Sequence, residues 1–92
     1  RTHSVAVGGM PVTLTPIEFD LLAILMRSPG RVFTRNELVD LLSGSGFAGL
    51  DSTLNVHVRN LRLKIEPDPA NPIYVETIFG VGYRFQKPGQ SL

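Results

Sequence analysis

The chain has 92 residues and is 42% hydrophobic, which suits one domain with one modest core over residues 1–92 and leaves no room for a second. It contains no cysteine, so disulfides, thiolate metal sites and a cysteine nucleophile are excluded, and a reducing cytoplasm is the expected compartment. The formal net charge is only +1, which by itself is too small to indicate a nucleic-acid partner. Residues 21–26 are the longest nearly uncharged apolar stretch, and they are far too few to span a membrane.

The first predicted element is a β-hairpin over residues 4–13. Apolar residues alternate imperfectly in this segment, and Gly8 and Gly9 interrupt them near the middle. This pattern is typical of two short strands joined by a glycine turn. Because an isolated hairpin is only marginally stable, we expect it to pack on the rest of the domain.

A capping box predicts where the first helix begins. Thr15 stands at the N-cap, Pro16 at the first helical position and Glu18 at the third, where its carboxylate accepts a hydrogen bond from the N-cap amide. The following residues are apolar on nearly all sides until a Ser-Pro-Gly stop at residues 28–30. We therefore expect this helix at the buried centre of the domain.

A second capping box, formed by Thr34 and Glu37, predicts another helix that extends to about residue 42. Leu38, Leu41 and Leu42 lie on one face of this helix, and that spacing predicts that the face is buried.

The third predicted helix, over residues 52–65, carries the clearest functional signal. Leu54, Val58, Leu61 and Ile65 recur at helical spacing and define one buried stripe. The same segment has three cations and no acidic residue, whereas an ordinary solvated face carries both signs of charge.

The side of this helix opposite the stripe is chemically suited to base edges. Guanidinium and carboxamide groups pair with guanine and adenine in the major groove, and two exposed aliphatic side chains suit thymine methyl groups or a protein partner. Recognition helices read bases mainly from their N-terminal part, so the earlier positions are better base candidates than the later ones. The outward face carries Ser52, Val56, Arg59, Asn60 and Leu63, with Thr53, His57 and Lys64 on one flank and Asn55 and Arg62 on the other.

The start of the second helix is a candidate phosphate contact. A helix N-terminus presents unpaired N–H groups and a positive dipole end, so Thr34 and the amides after it could hold a phosphate, with Arg35 adding charge. The simpler interpretation is that Thr34 is a cap and Arg35 an ordinary surface charge, and Glu37 weakens the attraction for an anion. Both interpretations stay open.

The C-terminal part predicts a second hairpin. Three prolines follow the third helix, and the β-rich residues 73–79 and 83–85 flank a Gly-Val-Gly turn at residues 80–82. Strands, three helices and a terminal hairpin, in this order, predict an α+β fold with the layout of a winged helix-turn-helix.

Other motifs do not support enzymatic chemistry. The G-x-G-x-x-G string at residues 44–49 follows a helical pattern in a chain too short for a doubly wound sheet, so it does not predict a dinucleotide site. His3 and His57 lack partners at metal-binding spacing, and no nucleophile elbow occurs. We expect no catalysis, no metal and no cofactor.

Four segments resemble the DNA-binding effector domain of OmpR/PhoB-type response regulators. They are LTPIEFDLL at residues 14–22, PGRVFTRNEL at 29–38, NVHVRNLRLK at 55–64 and TIFGVGYRF at 77–85, within a likeness that covers about residues 3–86. The resemblance implies a winged helix with an N-terminal antiparallel sheet, a third helix in the major groove and a wing at the neighbouring minor groove. It also implies a receiver domain outside this fragment and a sheet that begins before His3, so we expect the sheet to be truncated here.

The resemblance also implies roles for individual residues of the third helix. Arg59, Asn60 and Arg62 fall where the family contacts phosphates and bases, with His57 and Lys64 beside them.

Further roles follow for the wing. Thr77 and Tyr83 fall at positions that often touch the DNA backbone. Phe79 stands where several members have arginine and is either an apolar probe of the minor groove or a packing residue, the latter being favoured. Many members have arginine at the position of Ser52 and several at that of Phe79, and losing these cations predicts weak binding by a monomer.

The implied function is sequence-specific binding of double-stranded DNA in transcription control by a two-component phosphorelay. The implied partners are DNA, a second copy on tandem or repeated half-sites, and RNA polymerase through loop 43–51, with no membrane and no small-molecule substrate. The alternative is a winged-helix module that docks a protein through Val56, Leu63 and Phe79 without binding DNA.

Overall fold

The computed structural model describes residues 3–44 and 51–86, and these residues confirm the predicted α+β order. Loop 43–51 therefore lies almost wholly outside the described residues, as does most of the G-x-G-x-x-G string. No helix in the described part is long and apolar enough to cross a membrane. The elements are β1 (Ser4–Val7), β2 (Met10–Thr13), α1 (Pro16–Arg27), β3 (Phe33–Thr34), α2 (Arg35–Ser43), α3 (Asp51–Ile65), β4 (Val75–Ile78) and β5 (Gly82–Phe85).

The N-terminal hairpin forms as predicted. Strands β1 and β2 pair antiparallel, with Ser4 opposite Thr13 and Val7 opposite Met10. The turn between them needs two residues in the left-handed region, and Gly8 and Gly9 adopt φ of 58° and 82°.

A three-stranded antiparallel sheet in the order β3-β5-β4 supports the second hairpin. Strand β3 was not predicted; it is only two residues long and pairs Phe33 with Tyr83 and Thr34 with Gly82. The two backbones approach so closely there that a Cβ on Gly82 would lie 1.9 Å from the carbonyl oxygen of Phe33. Glycine is therefore required at this position by space.

Both predicted capping boxes are confirmed. Thr15 Oγ1 accepts from the Glu18 amide at 3.2 Å, and Glu18 Oε1 accepts from the Thr15 amide at 3.0 Å. Thr34 and Glu37 repeat the arrangement at 3.1 and 2.9 Å. The two boxes set the first residues of α1 and α2.

The core lies between the helices and the three-stranded sheet, and α1 packs against α2, α3 and β5 as its central position predicts. The predicted stripe of α3 is confirmed, because all four of its residues are buried. One expectation for α2 is wrong: Leu41 is 52% exposed. The core-facing side of α2 extends from Leu38 and Leu42 toward Val39, on the flank opposite Leu41. The buried apolar residues are Leu14, Leu21, Leu22, Leu25, Phe33, Leu38, Leu42, Leu54, Val58, Leu61, Ile65, Val75, Tyr83 and Phe85.

Candidate nucleic-acid interface

The outward face of α3 combines apolar and polar side chains that face solvent. Val56 and Leu63 are 50% and 59% exposed, although both are aliphatic. Thr53 and Arg59 are also exposed, whereas His57 and Asn60 are half-buried. Because the stripe on the opposite side is fully packed, this exposure follows from the position of the residues on the helix and leaves the face available to a partner.

Arg59 and Asn60 keep their polar atoms unengaged. Neither side chain makes a hydrogen bond or an ion pair with any other residue in the described ranges 3–44 and 51–86. A guanidinium and a carboxamide that hold no internal partner retain their full capacity to bind phosphate or base edges. Ser52 belongs to α3, but its side chain lies outside the part that the structure describes.

Arg62, predicted to contact DNA, is bound within the protein. Its Nε and Nη2 donate to the carbonyl oxygen of Val75 at 3.0 and 2.8 Å, and Nη2 also donates to Thr77 Oγ1 at 2.6 Å. The guanidinium carbon lies 5.6 Å from the centre of the Tyr83 ring. Burial lowers the pKa of this guanidinium, which nevertheless stays protonated near neutral pH. These contacts join α3 to the first strand of the wing.

Glu66, which the sequence analysis did not select, joins the same two elements. Its buried carboxylate accepts from the amides of Ile73, Tyr74 and Val75 at 2.8 to 3.1 Å. Arg62 and Glu66, one helical turn apart, thus hold the carbonyl and the amide of the same residue, Val75. In the sequence, the only signal of this role is an acidic residue directly after a helix and before a strand. The prolines between the two elements obscure that signal.

Lys64, also predicted to contact DNA, forms an ion pair with a buried carboxylate of the same domain. Its Nζ donates to Glu18 Oε1 at 2.6 Å, and the Glu18 side chain is 2% exposed. Burial by itself raises the pKa of Glu18, but the bonds from Lys64 and from the Thr15 amide outweigh it, and the pKa lies below its ordinary value. Lys64 therefore neutralises a buried carboxylate and fastens α3 to the start of α1.

The two wing residues predicted to contact the DNA backbone also form their polar contacts inside the domain. Tyr83 is 4% exposed, and its hydroxyl donates to Asn55 Oδ1 at 2.6 Å. Thr77 is half-buried and accepts from Arg62. These two contacts add to the bonds from Arg62 to Val75 in holding the wing and the helix together.

The wing tip is apolar. Phe79 is 89% exposed and lies in the turn between β4 and β5, so the expectation that its ring packs within the fold is wrong. Val81 beside it is 43% exposed. The nearest charged pair of the wing is internal, because Arg84 donates to Glu76 at 2.6 Å.

The start of α2 is already occupied by its own cap. Glu37 accepts from the Thr34 amide and from Arg31 Nη2, the latter at 2.9 Å. The bond from the Thr34 amide, with the charge of Arg31, holds the pKa of Glu37 below its ordinary value. Arg35 is half-buried, with its guanidinium 5.5 Å from the centre of the Tyr83 ring. The anionic cap weakens the predicted phosphate contact at Thr34, whereas Arg35 forms no ion pair with an acidic residue in the described part of the chain.

No group of three or more histidine, cysteine or acidic residues that could hold a metal ion occurs in the described part of the chain.

Comparison with known proteins identifies consistent relatives. Residues 9–85 match the model of the family described as "Transcriptional regulatory protein, C terminal". The chain is 51% identical over 84 residues to the sensory transduction protein RegX3 of Mycolicibacterium smegmatis. The matched region covers 91% of this chain and 37% of that protein. It is 45% identical over 86 residues to the DNA-binding response regulator MtrA of Mycolicibacterium paratuberculosis, covering 94% of this chain and 38% of that protein. The chain thus spans little more than a third of these relatives.

Solved structures give the same fold. The C-terminal domain of the nisin resistance regulator NsrR matches with a TM-score of 0.80 and 33% identity, over 96% of this chain and 89% of that one. The DNA-binding domain of Klebsiella pneumoniae RstA in complex with the RstA box matches with a TM-score of 0.78 and 30% identity, over 90% and 82%. The DNA-binding domain of the response regulator AdeR in complex with an intercistronic region matches with a TM-score of 0.75 and 30% identity, over 94% and 86%.

Proposed function

This chain belongs to the family of C-terminal domains of OmpR/PhoB-type transcriptional regulatory proteins, and on that premise we propose that it binds double-stranded DNA to control transcription. The observation that carries the proposal is the outward face of α3, where unengaged Arg59 and Asn60 lie beside exposed Val56 and Leu63. Related domains of the same fold have been solved with DNA, which supports DNA as the partner of this chain.

The proposed mechanism divides contacts between the DNA backbone and the bases. Phosphate contacts fix the position of a protein on the duplex, and base-edge contacts supply the sequence preference. We assign base reading to Asn60 and Val56, because a free carboxamide pairs with adenine and an aliphatic side chain suits a thymine methyl group. We assign phosphate contact to Arg59 and to Arg35, which keep their charges without an acidic partner in the described part of the chain.

The remaining predicted site residues divide into two groups. Arg62, Lys64, Thr77 and Tyr83 position α3 and the wing, since their polar atoms are bound within the domain. The other residues keep the DNA-contact roles proposed from the sequence: Ser52 near the bases, and Thr53, His57, Leu63, Thr34 and the wing-tip Phe79, the last at the minor groove.

A site selected from a random duplex pool tests the function directly. We expect the chain to bind the selected site more tightly than a scrambled duplex, as measured by fluorescence anisotropy. We expect Asn60→Ala to cost about 1 to 3 kcal/mol, mainly by relaxing preference at one base pair. Uniform loss at all positions of a site library would remove Asn60 from base reading, and equal affinity for selected and scrambled duplexes would refute sequence-specific binding.

We further propose that the intact protein is a cytoplasmic response regulator of a two-component phosphorelay. A receiver domain would control this domain, two copies would occupy tandem or repeated half-sites, and loop 43–51 would contact RNA polymerase. The support is the family and the length of the relatives, of which this chain spans 37%. Analytical ultracentrifugation of the intact protein on one and two half-sites tests the dimer.

A protein-docking module without DNA binding is the second candidate, favoured by the exposure of Val56, Leu63 and Phe79. Mobility shifts with random-sequence duplex at two salt concentrations separate the two functions. A docking module gives no salt-sensitive shift, whereas a DNA-binding domain binds nonspecifically at low salt and loses that binding as salt rises.

A further inference from the structure

Asn55 is an exposed residue of α3 whose carboxamide is only half available. The Tyr83 hydroxyl lies 2.6 Å from Asn55 Oδ1. This distance is typical of an O–H donor to an oxygen and short for an N–H donor, so the oxygen of the carboxamide faces the tyrosine. The Nδ2 group is then the free end, and it has no hydrogen-bond partner among residues 3–44 and 51–86.

The tyrosine that holds this carboxamide is itself fixed. Tyr83 is 4% exposed and lies in β5, where it pairs with Phe33 on one side and Thr77 on the other. The guanidinium groups of Arg35 and Arg62 also lie close to its ring, 5.5 and 5.6 Å from the ring centre. The hydroxyl therefore has a set position, and it presents the amide of Asn55 in one orientation.

Given the DNA binding proposed above, we infer that Asn55 determines base specificity as a hydrogen-bond donor only. Its Nδ2 donates to a base, while its own acceptor, Oδ1, is held by Tyr83. An asparagine that reads adenine uses its oxygen and its nitrogen together. In Asn55 the Tyr83 hydroxyl takes one of the two lone pairs of Oδ1 and turns that oxygen toward the wing, so Nδ2 is the group that Asn55 presents to a base. Its Nδ2 matches a base edge that offers acceptors, namely guanine N7 and O6 or thymine O4, and it opposes cytosine, whose edge offers an amino donor.

The position of Asn55 agrees with base reading. It lies in the N-terminal half of α3 (Asp51–Ile65), the part of a recognition helix that meets base edges, and one turn before Arg59. Helical spacing alone places Asn55 on a flank of the outward face, and it was not among the predicted contact residues. The hydrogen bond from a residue 28 positions away is what gives its amide a direction.

Site selection with variants tests the inference. For Asn55→Asp, whose carboxylate accepts from both Tyr83 and cytosine N4, we expect preference at one base pair to change from guanine or thymine to cytosine. For Asn55→Ala we expect that preference to fall about threefold to tenfold, the effect of one hydrogen bond. Because Asn55 is exposed, both variants are expected to fold.

Tyr83→Phe tests the positioning step, with Tyr74→Phe as the matched control, since the Tyr74 hydroxyl makes no hydrogen bond within the described residues. We expect Tyr83→Phe to relax the preference at the same base pair while affinity for scrambled duplex stays unchanged. In an Asn55→Ala background it has no further effect at that base pair. The Tyr74 variant keeps the wild-type preference.

The outcomes separate this inference from the proposed function. If wild-type protein binds no duplex, the function itself is refuted. If it binds a selected site but Asn55→Asp keeps the wild-type base preference, or weakens all duplexes equally, Asn55 touches only phosphate or nothing, and the inference is overturned. An additive effect of Tyr83→Phe on the Asn55→Ala variant would show that the tyrosine does not act through Asn55.

Discussion

Replacing Arg59 with alanine removes a cation of α3 that has no internal partner in residues 3–44 and 51–86. If its guanidinium binds a phosphate, the variant releases one fewer counterion on binding. The slope of log affinity against log salt then becomes shallower by about 0.9. Between 50 and 200 mM salt, this corresponds to a roughly threefold to fourfold smaller loss of affinity than in the wild type.

Lys64→Gln is the matched control, because it removes one positive charge from the same helix. The Lys64 ammonium is bound to Glu18 at 2.6 Å, so we expect its loss to leave the salt slope unchanged, while glutamine still donates to the carboxylate. Fluorescence anisotropy with a scrambled duplex at four salt concentrations measures both slopes, and circular dichroism verifies folding. An unchanged slope for Arg59→Ala would refute the phosphate contact, and equal changes in both variants would show that only overall charge matters.

Three further changes test the fold and the wing. The pKa of Glu18 lies below its ordinary value of 4.5, so its contribution to the free energy of unfolding is present above that pH and is lost as pH falls through the folded pKa. Urea denaturation at pH 7 and pH 3 should show a smaller acid loss for Glu18→Gln, and an equal loss would contradict this. Gly82→Ala places a Cβ 1.9 Å from the Phe33 oxygen, and we expect it to destabilise the domain by about 3 kcal/mol; unchanged stability in the same assay would be inconsistent with the close approach. Phe79→Arg adds a cation at a wing tip that is 89% exposed, so we expect unchanged stability and a salt slope steeper by about 0.9, whereas an unaltered slope would place the tip away from DNA.

Local sequence signals were enough to predict most of the fold. Capping boxes involve residues only three positions apart, and the buried stripe of α3 follows from helical spacing alone. Strand β3 has two residues and forms only because β5 supplies its partner, so no local pattern reveals it. Leu41 shows the same limit, because helical spacing gives a face but does not say which of its flanks meets the core.

The candidate site was less predictable because its charges are assigned by distant partners. Arg62 binds residues 13 and 15 positions away, and Lys64 binds a carboxylate 46 positions away. In the sequence, both are basic residues on a helix without acids, the same pattern that Arg59 shows. Only the folded chain distinguishes a cation that is neutralised from one that stays available to a partner.

Arg62 and Glu66 bind the carbonyl and the amide of the same residue, Val75, and this restricts motion between two elements. Because both polar backbone groups of Val75 are bound, α3 and β4 cannot rotate independently. In the complex that we propose, α3 and the wing would therefore keep a fixed relative position, and the duplex would have to adjust its groove widths to fit them. Base steps that deform easily would then be favoured even at positions that no side chain touches.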